Sequence, residues 1–168
     1  VNATDTGEAR WLVCHTKPRC EKKFSALLTA EKCEHYLPLV QSVRHYGPQI
    51  KRFTKPLFPG YVFARVFLTN KARIYQQDLL VRTLPVGDEA LLQRQIEMVR
   101  TLVASGVELT VRPPLQRGAR VRVAGGPLWG LEGVVDDPSN PKGVVVSVDV
   151  LQQGLLVHLP PEQLELLP

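Results

Sequence analysis

Cysteine is scarce in this chain, with three in 168 residues and no two in a C-x-x-C pair. An odd, unpaired set does not build a disulfide framework. Cys14, Cys20 and Cys33, even with His35 added, match no standard zinc spacing, so neither a metal nor a cofactor is expected. Acidic charge is short too. Against 21 Lys and Arg stand 16 Asp and Glu, leaving a net +5 and an isoelectric point near 9.3. That excess favours an acidic partner, either nucleic acid or an acidic protein surface. No apolar run approaches the roughly 20 residues of a membrane-spanning helix. The opening V-N-A-T-D-T-G-E-A-R has no apolar core and no basic start, so it does not read as a signal peptide, and a cytoplasmic protein is expected. Paired carboxylates and a glycine-rich phosphate loop are missing. His15, His35, His45 and His158 have no nucleophile or carboxylate at a recognisable spacing, so no enzyme is expected.

What is present is a hydrophobic fraction of 44%, enough for a packed core. Residues 1–9 are polar and read as a flexible tail. W-L-V-C-H (11–15) reads as a buried strand, and Pro18 suits an early helical position. A helix is expected from Arg19 to Lys32, with Cys20, Phe24, Leu27 and Leu28 on one face. H-Y-L-P-L-V (35–40) returns to strand. Residues 41–55 read as a β-hairpin or extended loop about Gly47-Pro48; this stretch carries Arg44, Lys51, Arg52 and Lys55 and no acidic residue. A strand is expected from Gly60 to Phe67, a short helix capped by Thr69-Asn70, and a strand at 79–84. A longer helix at about 89–104, with Leu92, Ile96, Val99 and Val103 at helical spacing, ends at Gly106. Residues 106–116, with Pro113-Pro114, read as a linker. Beyond it the pattern changes to short strands, V-R-V (121–123), G-V-V (133–135), V-V-V-S-V-D-V (144–150) and L-L-V-H-L (155–159), separated by Gly, Pro, Asn and Asp. The expectation is an α+β protein with a mixed domain at 10–105 and a small β-barrel at 117–168.

One stretch concentrates what the composition otherwise rations. Aromatics make up 7% of the chain, yet K-P-L-F-P-G-Y-V-F-A-R-V (55–66) holds Phe58, Tyr61 and Phe63 within six positions. Strand alternation puts Val62, Ala64 and Val66 on one face and Tyr61, Phe63 and Arg65 on the other. The aliphatic face suits packing under helices. The second face has the residue types favoured at interfaces, and burial on both sides is the competing reading.

These residues resemble the NusG family of transcription factors. The start W-L-V-C-H-T-K-P-R-C-E (11–21) and L-F-P-G-Y-V-F (57–63) are similar to its amino-terminal (NGN) domain. R-G-A-R-V-R-V-A-G-G-P-L-W-G-L-E-G-V-V (117–135) resembles a KOW motif. The resemblance runs from Trp11 over nearly the whole chain. It implies a four-stranded antiparallel sheet with flanking helices, followed by an SH3-like five-stranded barrel. It also implies that Phe58, Pro59, Tyr61 and Phe63 dock on the clamp helices of the largest RNA polymerase subunit, closing the clamp and suppressing pausing without covalent chemistry.

Two features resemble specialised paralogues of the RfaH type, which serve a few long operons. Lys17, Arg19, Lys22 and Lys23 near the first helix, with Arg44, Lys51 and Arg52 of the hairpin, suit contact with exposed non-template DNA. In the barrel, D-V-L-Q-Q-G-L-L-V-H-L (149–159) stands where general NusG proteins carry S-x-F-G-R-x-x-P-V-E-L. Leu151 replaces the aromatic, and Gln152-Gln153 the Gly-Arg pair, at the loop that in the family meets termination factor Rho and a small-subunit ribosomal protein. The departure weakens the expectation of Rho. Leu128 and Trp129, with Leu151, are the expected barrel contacts. The β-branched run 144–150 predicts a barrel without a helical alternative, and a monomer is expected. Two other readings are a general NusG-type factor and an RNA- or ribosome-associated KOW protein contacting RNA through Leu128, Trp129 and Lys142.

Overall fold

The computed structural model describes residues 9–115, 117–137 and 143–168. Nearly all of the expected tail, and Lys142, lie outside the described residues. The chain divides into two compact units, residues 1–89 and 90–168. Among the described residues no helix is long and apolar enough to cross a membrane.

The first unit runs β1 (Arg10–Thr16), α1 (Glu21–Ala30), β2 (His35–Tyr36), β3 (Leu39–Tyr46), β4 (Gln49–Pro56), β5 (Tyr61–Val66), α2 (Leu68–Tyr75) and β6 (Leu80–Pro85). Four strands form an antiparallel sheet in the order β2-β5-β1-β6. Val62, Ala64 and Val66 share a core with Cys14 of β1, Phe24 and Leu28 of α1, Cys33, and Ile74 of α2. This is the aliphatic face that strand alternation predicts under helices. Each large side chain buried there contributes on the order of 1.5–3 kcal/mol.

Local details depart from expectation. Pro18 lies outside the helix: Cys20 N–H donates to Lys17 O at 3.1 Å and Arg19 takes φ +63°. Proline second and a positive φ third are the marks of a type II turn, so α1 starts at Glu21. At α2, Phe67 is the N-cap residue, and Asn70 lies inside the first turn, where its Oδ1 accepts the Phe67 N–H at 3.1 Å. The strand expected at 35–40 is interrupted between Tyr36 and Leu39, so that β2 joins the main sheet while β3 leaves it. Among the described residues β3 and β4 pair only with each other, from Leu39↔Pro56 to Tyr46↔Gln49, as a separate two-stranded ribbon turning at Gly47-Pro48.

The second unit holds α3 (Glu89–Ser105), whose first residue closes the first unit, then β7 (Thr110–Arg112), β8 (Ala119–Val123), β9 (Glu132–Val135), β10 (Val144–Val148), β11 (Gln153–Val157) and β12 (Leu164–Leu166). Its strands form one antiparallel sheet in the order β12-β8-β9-β10-β11-β7. Among the described residues six strands stand where five are expected. The extra one is β7, inside the expected linker, where Thr110, Val111 and Arg112 pair with Leu156, Leu155 and Gly154. Pro113-Pro114 ends that strand without preventing it. Val121, Val135 and Val144 pack with Ala119, Leu159 and Leu164. Gly133 has to be glycine because a Cβ there would lie 2.4 Å from Val144 Cγ1 and 2.8 Å from Val145 O.

The division at Glu89/Ala90 places α3 with these strands, whereas the sequence pattern sets a boundary near residue 105. One tie is explicit. Gln95, buried on α3, accepts the Asp149 N–H on its Oε1 at 3.0 Å, at the head of the 3-10 turn Asp149–Leu151. A buried amide facing a strand end is not visible in helical periodicity.

Candidate functional site

The proline-rich turn before β5 is fixed by its backbone. Leu57 N–H donates to Pro38 O at 2.9 Å, Tyr61 N–H to Phe58 O at 3.1 Å, and Thr16 N–H to Gly60 O at 2.8 Å. Gly60 has φ +88°, and a Cβ on it would sit 3.3 Å from the His15 ring. Glycine is thus required twice over, by backbone angle and by close approach. Pro59 is exposed at the apex and Tyr61 is half-buried. Phe58 and Phe63 are only 1% exposed each.

Strand register assembles a second element that sequence reasoning missed. His15 lies opposite Tyr61 on β5 and Arg82 on β6. Its ring stacks on Tyr61, with centroids 5.0 Å apart and planes 18° apart. Tyr36 and Phe63 form a parallel pair one row along, at 6.5 Å. Tyr61, His15 and Arg82 therefore form a row of flat side chains across three strands. His15 Nδ1 and Thr16 Oγ1, beside the turn, are buried with no hydrogen-bond partner among the described residues. Strand parity alone puts Trp11, Val13 and His15 on one face, but the register that brings His15 to Tyr61 is not legible in sequence.

The seven basic candidates fall into different states. Lys17 Nζ pairs with Asp78 at 2.8 Å, and this hydrogen bond and charge hold the Asp78 carboxyl below its usual range. Lys22 Nζ donates to Thr54 O at 2.8 Å and to Thr54 Oγ1 at 3.0 Å, tying α1 to the base of the β3–β4 ribbon. The Arg44 guanidinium lies over the Phe53 ring at 5.1 Å, and Lys51 Nζ over the Tyr46 ring at 5.5 Å. Arg19, Lys23 and Arg52 are exposed, as is Lys55, a ribbon cation with the same claim as the others. In the second unit, Leu128 and Leu151 are buried while Trp129 is 75% exposed on the turn between β8 and β9.

His35 has a side-chain hydroxyl beside it. Its Nε2 is 2.7 Å from Ser25 Oγ, and its Nδ1 is 2.9 Å from Cys33 O. The helix brings Ser25 round to the strand, which linear spacing does not reveal. Among the described residues only a backbone carbonyl, Cys33 O, stands behind the ring, not the carboxylate of a catalytic triad. The two buried thiols, Cys14 and Cys33, are unreactive in character. Burial, and then the neighbouring Cys33, push Cys14 up to about 12; burial foremost raises Cys33, whose Sγ accepts from Asn70 Nδ2 at 3.2 Å. Neither is a ready thiolate for a metal or a nucleophilic step.

No curated protein matches this chain. Among solved structures, NusG of Thermotoga maritima, described for its domain interaction, is 17% identical over 94% of this chain and 97% of that one, with a TM-score of 0.46. A family model described as transcription termination factor nusG matches residues 9–110, which take in β1 through α3. The match spans more than half of the chain, and the chain belongs to the NusG family of non-enzymatic transcription elongation and termination factors, proteins that bind RNA polymerase.

Proposed function

We propose that this chain is a bacterial elongation factor that binds RNA polymerase through the first unit and promotes processive, antiterminated transcription of particular long operons, as a cytoplasmic monomer. The observation that carries the reading is the family match over residues 9–110, which contains the whole aromatic turn. The docking surface is Phe58, Pro59, Tyr61 and Phe63 against the clamp helices of the largest subunit, widened by His15. Tyr61 and Pro59 are reachable as the chain stands; Phe58 and Phe63 engage a partner only after a change that exposes them. Lys17, Arg19, Lys22, Lys23, Arg44, Lys51 and Arg52 form the nucleic-acid side of the same unit, toward non-template DNA.

The second unit acts as a KOW-type adaptor through Leu128, Trp129 and Leu151, of which Trp129 is exposed and the two leucines are buried. Its proposed partner is a small-subunit ribosomal protein; Leu151-Gln152-Gln153 alters the late loop that in the family meets both that protein and Rho, so the loop does not itself choose between them. The RNA-binding alternative has less support. Residues 90–168 carry seven Lys and Arg against eight Asp and Glu, too little positive charge to neutralise phosphates.

The test is binding of the purified chain to core RNA polymerase beside a Tyr61→Ala variant whose fold is checked by circular dichroism. A half-exposed aromatic anchor is worth about 2 kcal/mol or more at an interface centre, so an affinity loss of roughly thirtyfold is expected. Failure of the wild type to bind, or equal binding by a folded variant, would overturn the proposal.

A further inference from the structure

The β3–β4 ribbon is built unlike the rest of the molecule. Its strands are eight residues each, about 26 Å long at strand rise, and among the described residues neither has a second neighbour. Every residue from Val43 to Lys55 is exposed. Large apolar side chains remain in water there, Ile50 at 58% and Tyr46 at 52%. No Asp or Glu occurs from residue 35 to residue 77. Arg44, Lys51, Arg52 and Lys55 accordingly have no carboxylate partner among the described residues.

Register sorts these side chains onto two faces. Arg44↔Lys51 pair on one, with Tyr46 and Phe53, and Val43↔Arg52 and His45↔Ile50 on the other. Both faces are therefore basic as well as apolar, and the tip is Gly47-Pro48. An arm charged on both sides suits a partner that surrounds it more than one that lies against it. The major groove of B-form DNA, about 12 Å wide, admits a two-stranded ribbon and walls it with phosphates on both sides. The deep, narrow major groove of A-form RNA does not. Proteins that hold single strands present bare aromatic faces for bases, whereas Phe53 and Tyr46 each already carry a cation of the ribbon on a ring face.

We infer that the β3–β4 hairpin is a duplex-DNA-binding arm that enters a groove of B-form DNA, its cations on the flanking phosphates. The inference rests on the proposed transcriptional role and sharpens its nucleic-acid half, assigning duplex rather than single-stranded DNA to the hairpin. Lys22, holding Thr54 at the ribbon's base, fixes the arm to α1.

The experiment measures fluorescence anisotropy of the full chain with a labelled 24-base-pair DNA duplex, one of its strands alone, and a duplex RNA of the same sequence, at about 50 and 200 mM salt. Four phosphate contacts give a slope near −3.6 in log K against log salt, about a hundredfold loss across that range. An Arg52→Glu/Lys55→Glu variant leaves both cation–ring pairs in place. It is expected to lose at least tenfold in duplex affinity, and to keep its polymerase binding. Tighter binding of duplex DNA than of either other probe, lost in the variant, supports the arm. Equal or tighter binding of the single strand or of the RNA, or an unaffected variant, overturns it. Polymerase binding without any DNA binding sinks the arm and the nucleic-acid half of the proposed function and leaves its polymerase-binding half standing; absence of both sinks the two together.

Discussion

The two units solve different problems with different residues. Residues 1–89 carry fourteen Lys and Arg against eight Asp and Glu, a net +6, while residues 90–168 carry seven against eight, a net −1. The whole basic excess of the chain thus belongs to the first unit. Their cores differ as well. The first is shared by helices and a sheet around Phe24, Leu28 and Ile74, and the second is largely valine on paired strands, Val121, Val135, Val144, Val145 and Val146 among them. β-branched side chains suit a pleated surface, and they leave few aromatics for display; Trp129 is the exception, and it faces water. The lesson is that partner chemistry and fold chemistry are segregated. Charge and aromatic surface meet in the first unit, where polymerase and DNA are proposed to bind.

The largest effect should come from the first core. Phe24→Ala removes a fully buried aromatic from α1 and should destabilise that unit by about 3–5 kcal/mol, read as a lower urea midpoint. If the division of the chain holds, amide exchange in β8–β11 should change far less than in β1 and β5. Uniform acceleration would show that the units unfold as one.

A smaller effect probes where the boundary falls. Gln95→Ala leaves the Asp149 N–H without its acceptor, at about 1–3 kcal/mol. The Asp149 amide should then exchange faster while the hairpin is unaffected. An unchanged Asp149 rate would mean that the bond does not hold α3 to the second unit.

The smallest effect belongs to the exposed Lys17–Asp78 pair. Its depressed carboxyl stabilises the fold above the unfolded Asp value, about 3.9, and that contribution fades as pH falls through the lower folded value. Wild type should therefore be slightly more stable than Asp78→Asn at pH 7 and no more stable near pH 2, in paired thermal melts. A difference that grows on acidification would contradict the pairing.

Much of this was legible in sequence because it is periodic or punctuated. The alternation Val62, Ala64, Val66 predicts the helix-covered face, the helix spacing predicts α1 and α3, and Gly47-Pro48 predicts the turn of the ribbon. What was not legible depends on register and depth. Thr110–Arg112 is too short and too close to two prolines to announce a strand; its partner in β11 decides the matter. Leu128 and Trp129 are adjacent and similarly apolar, yet one is buried and the other projects. Phe58 and Tyr61 flank one turn and differ in the same way. His35 finds Ser25 only because a helix and a strand lie side by side.

The hairpin carries one more consequence, for solubility. Two strands with unpaired outer edges offer rows of N–H and C=O groups on which another copy could add, the usual start of aggregation. Four cations on each hairpin make that approach repulsive between like chains. The same charges that suit the arm to DNA keep it from pairing with itself, and a variant stripped of them would lose its solubility before it lost its fold.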